Sequence, residues 1–123
     1  MKLGAFSVSL NVKDIHKSKE FYENIGFEAF AGEIEQGWLI LRNDNSVIGI
    51  FQGMFEKNMM TYNPGWNQDC CPQEEFTDIR DIKKHLEGKG IEAVNPAMEG
   101  DSGLGNLSIT DPDGNIILLD QHV

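Results

Sequence analysis

The chain has 123 residues, a net charge of -10 and a sequence pI near 4.6. With 40% hydrophobic and 24% charged residues it reads as one globular domain spanning 1–123 rather than a disordered segment. The acidic balance argues against nucleic acid and against anionic membrane surfaces, since both need a basic face. No run approaches the ~20 apolar residues that span a bilayer. The opening Met1-Lys2-Leu3-Gly4-Ala5-Phe6 lacks the apolar core of a signal peptide, so a cytoplasmic location is expected.

In chain order, Phe6, Val8, Leu10 and Val12 alternate with Ser7, Ser9 and Asn11, which predicts a strand with one apolar and one polar face. Asp14-Ile15 then opens a helical pattern that closes at Gly26-Phe27. Asp suits an N-cap because its carboxylate accepts the unpaired N–H groups of the first turn. Gly suits the position just past the helix, with an apolar residue after it. Strands are predicted at Phe27–Glu35, Trp38–Arg42 and Val47–Gln52, with turns at Gln36-Gly37 and Asn43–Ser46. The segment Gly53–Asn67, rich in Met, Asn, Pro and Gly, reads as a linker.

The second half repeats this plan. Asp78-Ile79 and Gly90-Ile91 lie 64 residues after Asp14-Ile15 and Gly26-Phe27. Strands follow at Ile91–Met98, Asn106–Thr110 and Ile116–Gln121, and the opening strand of this half is placed around Cys70–Thr77. The fold class is therefore α+β. Two β-α-β-β-β modules, residues 1–53 and 68–123 around a 54–67 linker, form a curved mixed sheet like a half-open barrel, with helices outside. The halves differ in charge, net -2 over residues 1–62 and net -8 over 63–123.

Ser9-Leu10-Asn11-Val12-Lys13-Asp14, Ser18, Phe21-Tyr22 and Ile25-Gly26-Phe27 resemble the opening module of the vicinal oxygen chelate superfamily, also called glyoxalase/bleomycin resistance/dioxygenase. Asp78-Ile79, Gly88-Lys89-Gly90-Ile91 and Asp111-Pro112-Asp113-Gly114-Asn115 are similar to its second module. The resemblance implies a divalent metal held by His, Glu or Gln on the first and fourth strands of each module. Seven residues before Asp14 stands Ser7, and the 64-residue offset carries that position to Cys71, or to Cys70 or Pro72 with a register slip. Four residues after Gly114 stands Leu118, and its counterpart is Gly49 or Ile50. Only Cys71 offers a good donor, so no metal and no cofactor is expected. Asp120 and His122 share one strand parity and read as an ordinary strand end.

Other motifs carry less chemistry. Asp111-Pro112-Asp113-Gly114 is a turn rather than a Ca²⁺ loop, which would need further ligands. Gly100–Gly105 lacks the Lys-Ser/Thr of a phosphate loop. Cys70 and Cys71 are adjacent, and Asp69, Glu74 and Glu75 nearby would raise rather than lower a thiol pKa. No catalytic residue is assigned.

A cup remains, lined by the strand faces turned away from the helices. Ser7, Ser9, Asn11, Trp38, Arg42 and Phe51 come from the first half, with Asn106, Ser108, Leu118 and Asp120 from the second. An apolar, aromatic concavity with a few polar groups has the composition of a small-molecule pocket. The expected function is metal-independent binding of a drug or metabolite, like the drug-sequestering members of the resembled superfamily. The alternatives are an enzyme of lyase, isomerase or dioxygenase type with a rearranged metal site, and a protein whose role is interaction. The resemblance also implies a homodimer.

Overall fold

The computed structural model describes all residues, Met1–Val123. The chain is α+β, with two helices and eight strands in a mixed sheet that does not close on itself. The strands are β1 Ala5–Asn11, β2 Glu28–Glu33, β3 Trp38–Asn43, β4 Ser46–Phe51, β5 Met59–Asn63, β6 Val94–Met98, β7 Gly105–Thr110 and β8 Ile116–Gln121. The helices are α1 Ile15–Asn24 and α2 Ile79–Gly88. The chain divides into two compact units, Ser7–Met59 and the combination of Met1–Phe6 with Met60–Val123.

In the Ser7–Met59 unit the strand order is β2-β3-β4-β1. β2 pairs antiparallel with β3, β3 pairs antiparallel with β4, and β1 lies parallel to β4. Leu39 and Leu41 are buried opposite Ile50 and Ile48, and Ile15 and Tyr22 of α1 pack against this face. Asp14 caps α1 as its sequence position predicts, accepting from the His16 and Lys17 N–H groups at 3.1 and 3.2 Å.

In the other unit the order is β5-β8-β7-β6, antiparallel from β8 to β6. Ile79, Ile82 and Leu86 of α2 form a core with Leu107 of β7 and Leu119 of β8. Gly105 lets α2 come close, because a Cβ there would stand 3.0 Å from Ile79 Cγ2 and 2.9 Å from Met98 Cβ.

One predicted strand is misplaced. The second unit opens with β5 at Met59–Asn63, inside the expected linker, and 70–77 forms a connection. The 64-residue offset holds for the helices but not for the strands before them, because the β5–α2 connection is far longer than the β1–α1 one. Met60 and Tyr62 alternate with buried Thr61, a pattern fit for a strand. The 70–77 segment has Pro72, exposed Gln and Glu residues, and Cys70 at φ 59°.

Both helix starts are joined to the last strand of their unit by a glutamine. Gln52, just past β4, accepts from Ile15 N–H at 2.8 Å. Gln121, at the end of β8, accepts from Ile79 N–H at 2.7 Å. The two differ in burial: Gln52 is exposed and Gln121 is 1% exposed. Gln121 Nε2 also reaches Asp78 Oδ2, Gly103 O and Val123 O at 3.0, 3.0 and 2.9 Å. Arg80 extends the network, donating to Asp78 Oδ1 and to the carbonyls of Glu99, Gly100, Ser102, Gly103 and Leu104. Burial pushes the Asp78 carboxyl up, but hydrogen bonds from Arg80 N–H, Gln121 and the Arg80 guanidinium outweigh it and hold the pKa below its ordinary value. The Gly100–Gly105 connection is thus wrapped around one guanidinium.

The same contact in two environments gives a paired test. Gln52→Ala should cost about 1 kcal/mol, the worth of one partly solvated hydrogen bond. Gln121→Ala should cost about 3 kcal/mol or more, because buried donors and acceptors lose their partners together. Urea unfolding of the two variants against the parent measures both, and equal losses would contradict the burial argument.

Candidate functional site

The period of two along each strand sorts the expected site residues by face. In the Ser7–Met59 unit, Trp38 pairs with Phe51, Ile40 with Gly49 and Arg42 with Val47, on the side opposite Leu39 and Leu41. The parallel β1–β4 register adds Ser9 opposite Gly49 and Asn11 opposite Phe51, with Ser7 on the same parity. Trp38, Ile40, Arg42 and Phe51 are half-buried. The Phe51 ring folds back along its own strand, so that a Cβ on Gly49 would stand 2.6 Å from Phe51 Cε2 and 3.2 Å from Ile40 Cδ1. Glycine there is what lets the ring lie flat on the sheet. Phe55 closes against Phe51 with ring centroids 5.3 Å apart.

The polar members of this face have different surroundings. Ser9 is 5% exposed, at the floor rather than the rim. Asn11 donates through Nδ2 to Glu56 O at 3.2 Å, and its backbone N–H donates to Asn58 Oδ1 at 2.8 Å. What Asn11 orients is therefore the segment after β4. The Arg42 guanidinium carbon lies 4.9 Å over the Phe30 ring, beside a cleft of about 350 Å³ that Glu28, Asn43 and Asp44 also line.

In the other unit, Asn106 pairs with Asp120 and Ser108 with Leu118, on the side opposite Leu107 and Leu119. Asn106 makes no side-chain hydrogen bond within the protein. Ser108 Oγ donates weakly to Val94 O at 3.4 Å. Asp120 Oδ2 stands 3.2 Å from His122 Nε2, and Asn63 Nδ2 donates to Asp120 O at 2.9 Å. Sequence reasoning missed two partners here. Trp66 stacks on His122 at 4.7 Å and 12°, and Gln68 bonds both backbone groups of Phe6 at 2.8 and 2.6 Å.

The implied metal positions do not come together as a donor set. Cys71 lies on the β5–α2 connection and is exposed, its Sγ turned to Asp69 O at 3.7 Å. It is not on a strand, which corrects the position that the 64-residue offset assigns to it. Leu118 sits on the ligand-side face of β8 with an aliphatic side chain. No three His, Cys, Asp or Glu side chains converge anywhere in the chain. The residues present do not fit a divalent ion.

No family model matches the chain, and no curated protein does. Solved structures do. A glyoxalase/bleomycin resistance protein/dioxygenase superfamily member from Vibrio splendidus 12B01 superposes with a TM-score of 0.67 at 14% identity, over 94% of this chain and 97% of that one. The chain has the vicinal oxygen chelate fold. Methylmalonyl-CoA epimerase from Mycobacterium tuberculosis is similar at a TM-score of 0.66 and 14% identity, over 97% of this chain and 88% of that one. A Legionella pneumophila protein described as an NAD-dependent benzaldehyde dehydrogenase is similar at 0.70 and 16%, over 96% and 99%. At such identities the likeness concerns the fold, and the vicinal oxygen chelate fold hosts unlike activities. No helix is long and apolar enough to cross a membrane.

The donor inventory predicts that protein purified without chelator carries far less than one equivalent of transition metal per chain. Elemental analysis by mass spectrometry checks this, and a stoichiometric metal would contradict it.

Proposed function

We propose that the chain is a glyoxalase/bleomycin-resistance-type protein that binds a small molecule, a drug or a metabolite, without a metal. Each unit offers a sheet face turned away from its helix as the surface for such a ligand. Trp38 and Phe51 give apolar contact in the first unit, with Ser7, Ser9, Asn11 and Arg42 around them. Asn106, Ser108, Leu118 and Asp120 offer a more polar surface in the second. The observation that carries this reading is the half-buried Phe51 ring laid over Gly49, with half-buried Trp38 at the paired position of β3, on a face without metal donors. Aromatic surface kept partly in water on a rigid sheet suits a flat ligand. Arg42 and Asp120 set the charge preference of their own faces.

A lyase, isomerase or dioxygenase reading would need a rearranged metal site, and no set of three donor side chains supports one. The protein takes no nucleic-acid partner, a reading supported by its net charge of -10.

A thermal-shift screen of flat aromatic, cationic and anionic compounds tests the site. A ligand at 100 times its dissociation constant stabilises the folded state by roughly 2.7 kcal/mol. For a domain of this size that raises Tm by several degrees. Hits should lose most of that shift in Trp38→Ala, while Trp38→Phe keeps part of it. Equal shifts in parent and Trp38→Ala would move the site elsewhere.

The protein works as a homodimer. Phe21 and Ile25, four residues apart at the end of α1, are 60 and 56% exposed, and an apolar pair left open on a helix face suits a contact between copies. Light scattering at micromolar concentration should give two copies of the 13.8 kDa chain, and a monomer mass would overturn this.

A further inference from the structure

Trp66, His122 and Asp120 form a cluster that the helix core does not use. Trp66 lies on the connection between β5 and α2, and Asp120 and His122 stand at the end of β8. The imidazole lies nearly parallel to the indole, 4.7 Å between centroids, and its Nε2 faces Asp120 Oδ2 at 3.2 Å. The ring is thus held by a carboxylate at its edge and an aromatic face beneath it. An imidazolium in that position gains both an ion pair and a cation–π contact, and a neutral ring keeps only the stack.

Thr77 Oγ1 on the same connection accepts from Lys2 N–H at 3.3 Å, and a second long-range contact lies closer to Trp66. Gln68, two residues after Trp66, pairs its amide with the N–H and C=O of Phe6, as a neighbouring strand would. Between these two anchors the connection is held by its own turns, Trp66 N–H to Asn63 O, Asn67 N–H to Cys71 O and Gln73 N–H to Gly65 O. How firmly Trp66 is docked therefore bears on how firmly Gln68 holds Phe6.

The charges around the ring are few. From β8 it faces Asp120. From β5 the adjoining side chain is Asn63, neutral and bonded to Asp120 O. From the connection it faces the indole, while Glu74 and Glu75 are exposed.

We propose that the Trp66–His122–Asp120 stack is a pH-controlled latch on the β5–α2 connection. Protonated His122 clamps Trp66 to the end of β8, and neutral His122 loosens the connection and lets Gln68 release Phe6. The hydrogen bond to Asp120 raises the His122 pKa above its ordinary value of 6.5, partial burial opposes this, and the Asp120 charge adds to the rise. A raised folded-state pKa means the clamp is complete below the ordinary histidine range. It is lost as pH rises through the higher folded value.

The chain has two tryptophans, so Trp38→Phe leaves Trp66 as the one tryptophan, excited selectively at the red edge where tyrosine does not absorb. In that background, Trp66 emission is followed from acid to alkaline pH. Exchange of the Phe6 amide is followed by NMR, corrected for its intrinsic pH dependence. Emission should change in one step with a midpoint above the 6.5 of an ordinary histidine. Phe6 protection should fall roughly threefold across the same step, in line with a cation–π contact and an exposed ion pair. Asp120→Asn should lower the midpoint, and His122→Gln should remove the step. Three results overturn the latch: no step, a midpoint at or below 6.5, or a step without change in Phe6 protection. If His122→Gln does not fold, the Asp120→Asn midpoint decides.

Discussion

Each helix of this protein begins where the last strand of its unit ends, and a glutamine carbonyl closes the junction. The first N–H groups of a helix have no partner within it. At α1 they go to Asp14 and Gln52, and at α2 to Asp78 and Gln121. Asp alone would cap the helix. The glutamine also ties the helix start to the strand end, while buried Leu39, Leu41 and Ile50 in one unit and Leu107 and Leu119 in the other set the face the helix covers. The opposite face is then left for other uses. In the second unit the same device is buried and linked to Arg80, so the Gly100–Gly105 connection is ordered by the same few side chains.

Much of this was legible in the sequence, for a physical reason. Caps and periods are local, so Asp14, Asp78, both helices and the faces of β3, β4, β7 and β8 follow from neighbouring residues. The strand β5 was not legible from the repeat. The offset between helix caps is blind to an insertion between strand and helix, and 64–78 is such an insertion. Read by itself, Met59–Asn63 does carry an alternation that could have located it.

The candidate site divides along the same line. Strand parity puts Ser9, Asn11, Trp38, Arg42 and Phe51 on one side of their sheet. Parity does not tell what each polar group is already bonded to. Asn11 is engaged by Glu56 and Asn58, and Asp120 by His122. The first partners arrive on a loop whose path depends on tertiary packing. The second pair was within reach of the sequence, since residues two apart on a strand share a face and Asp with His makes an ion pair.

Leu118, Gly49 or Ile50, and Ser7 stand where the resemblance implies metal donors, and none of them holds a divalent ion well. A coordinated ion binds polar oxygen atoms strongly and tolerates little apolar surface beside them. Without it, specificity has to come from shape and a few hydrogen bonds, and affinity from apolar area at about 25 cal/mol per Å². Gly49 shapes the apolar area of its face. A side chain there would lift the Phe51 ring off the sheet, whereas glycine lets it lie over the backbone beside Ile40. The second unit has no such aromatic platform on β7 and β8, where Asn106, Ser108, Leu118 and Asp120 share the face. The duplicated plan has therefore diverged in chemistry, one face aromatic and the other mainly polar.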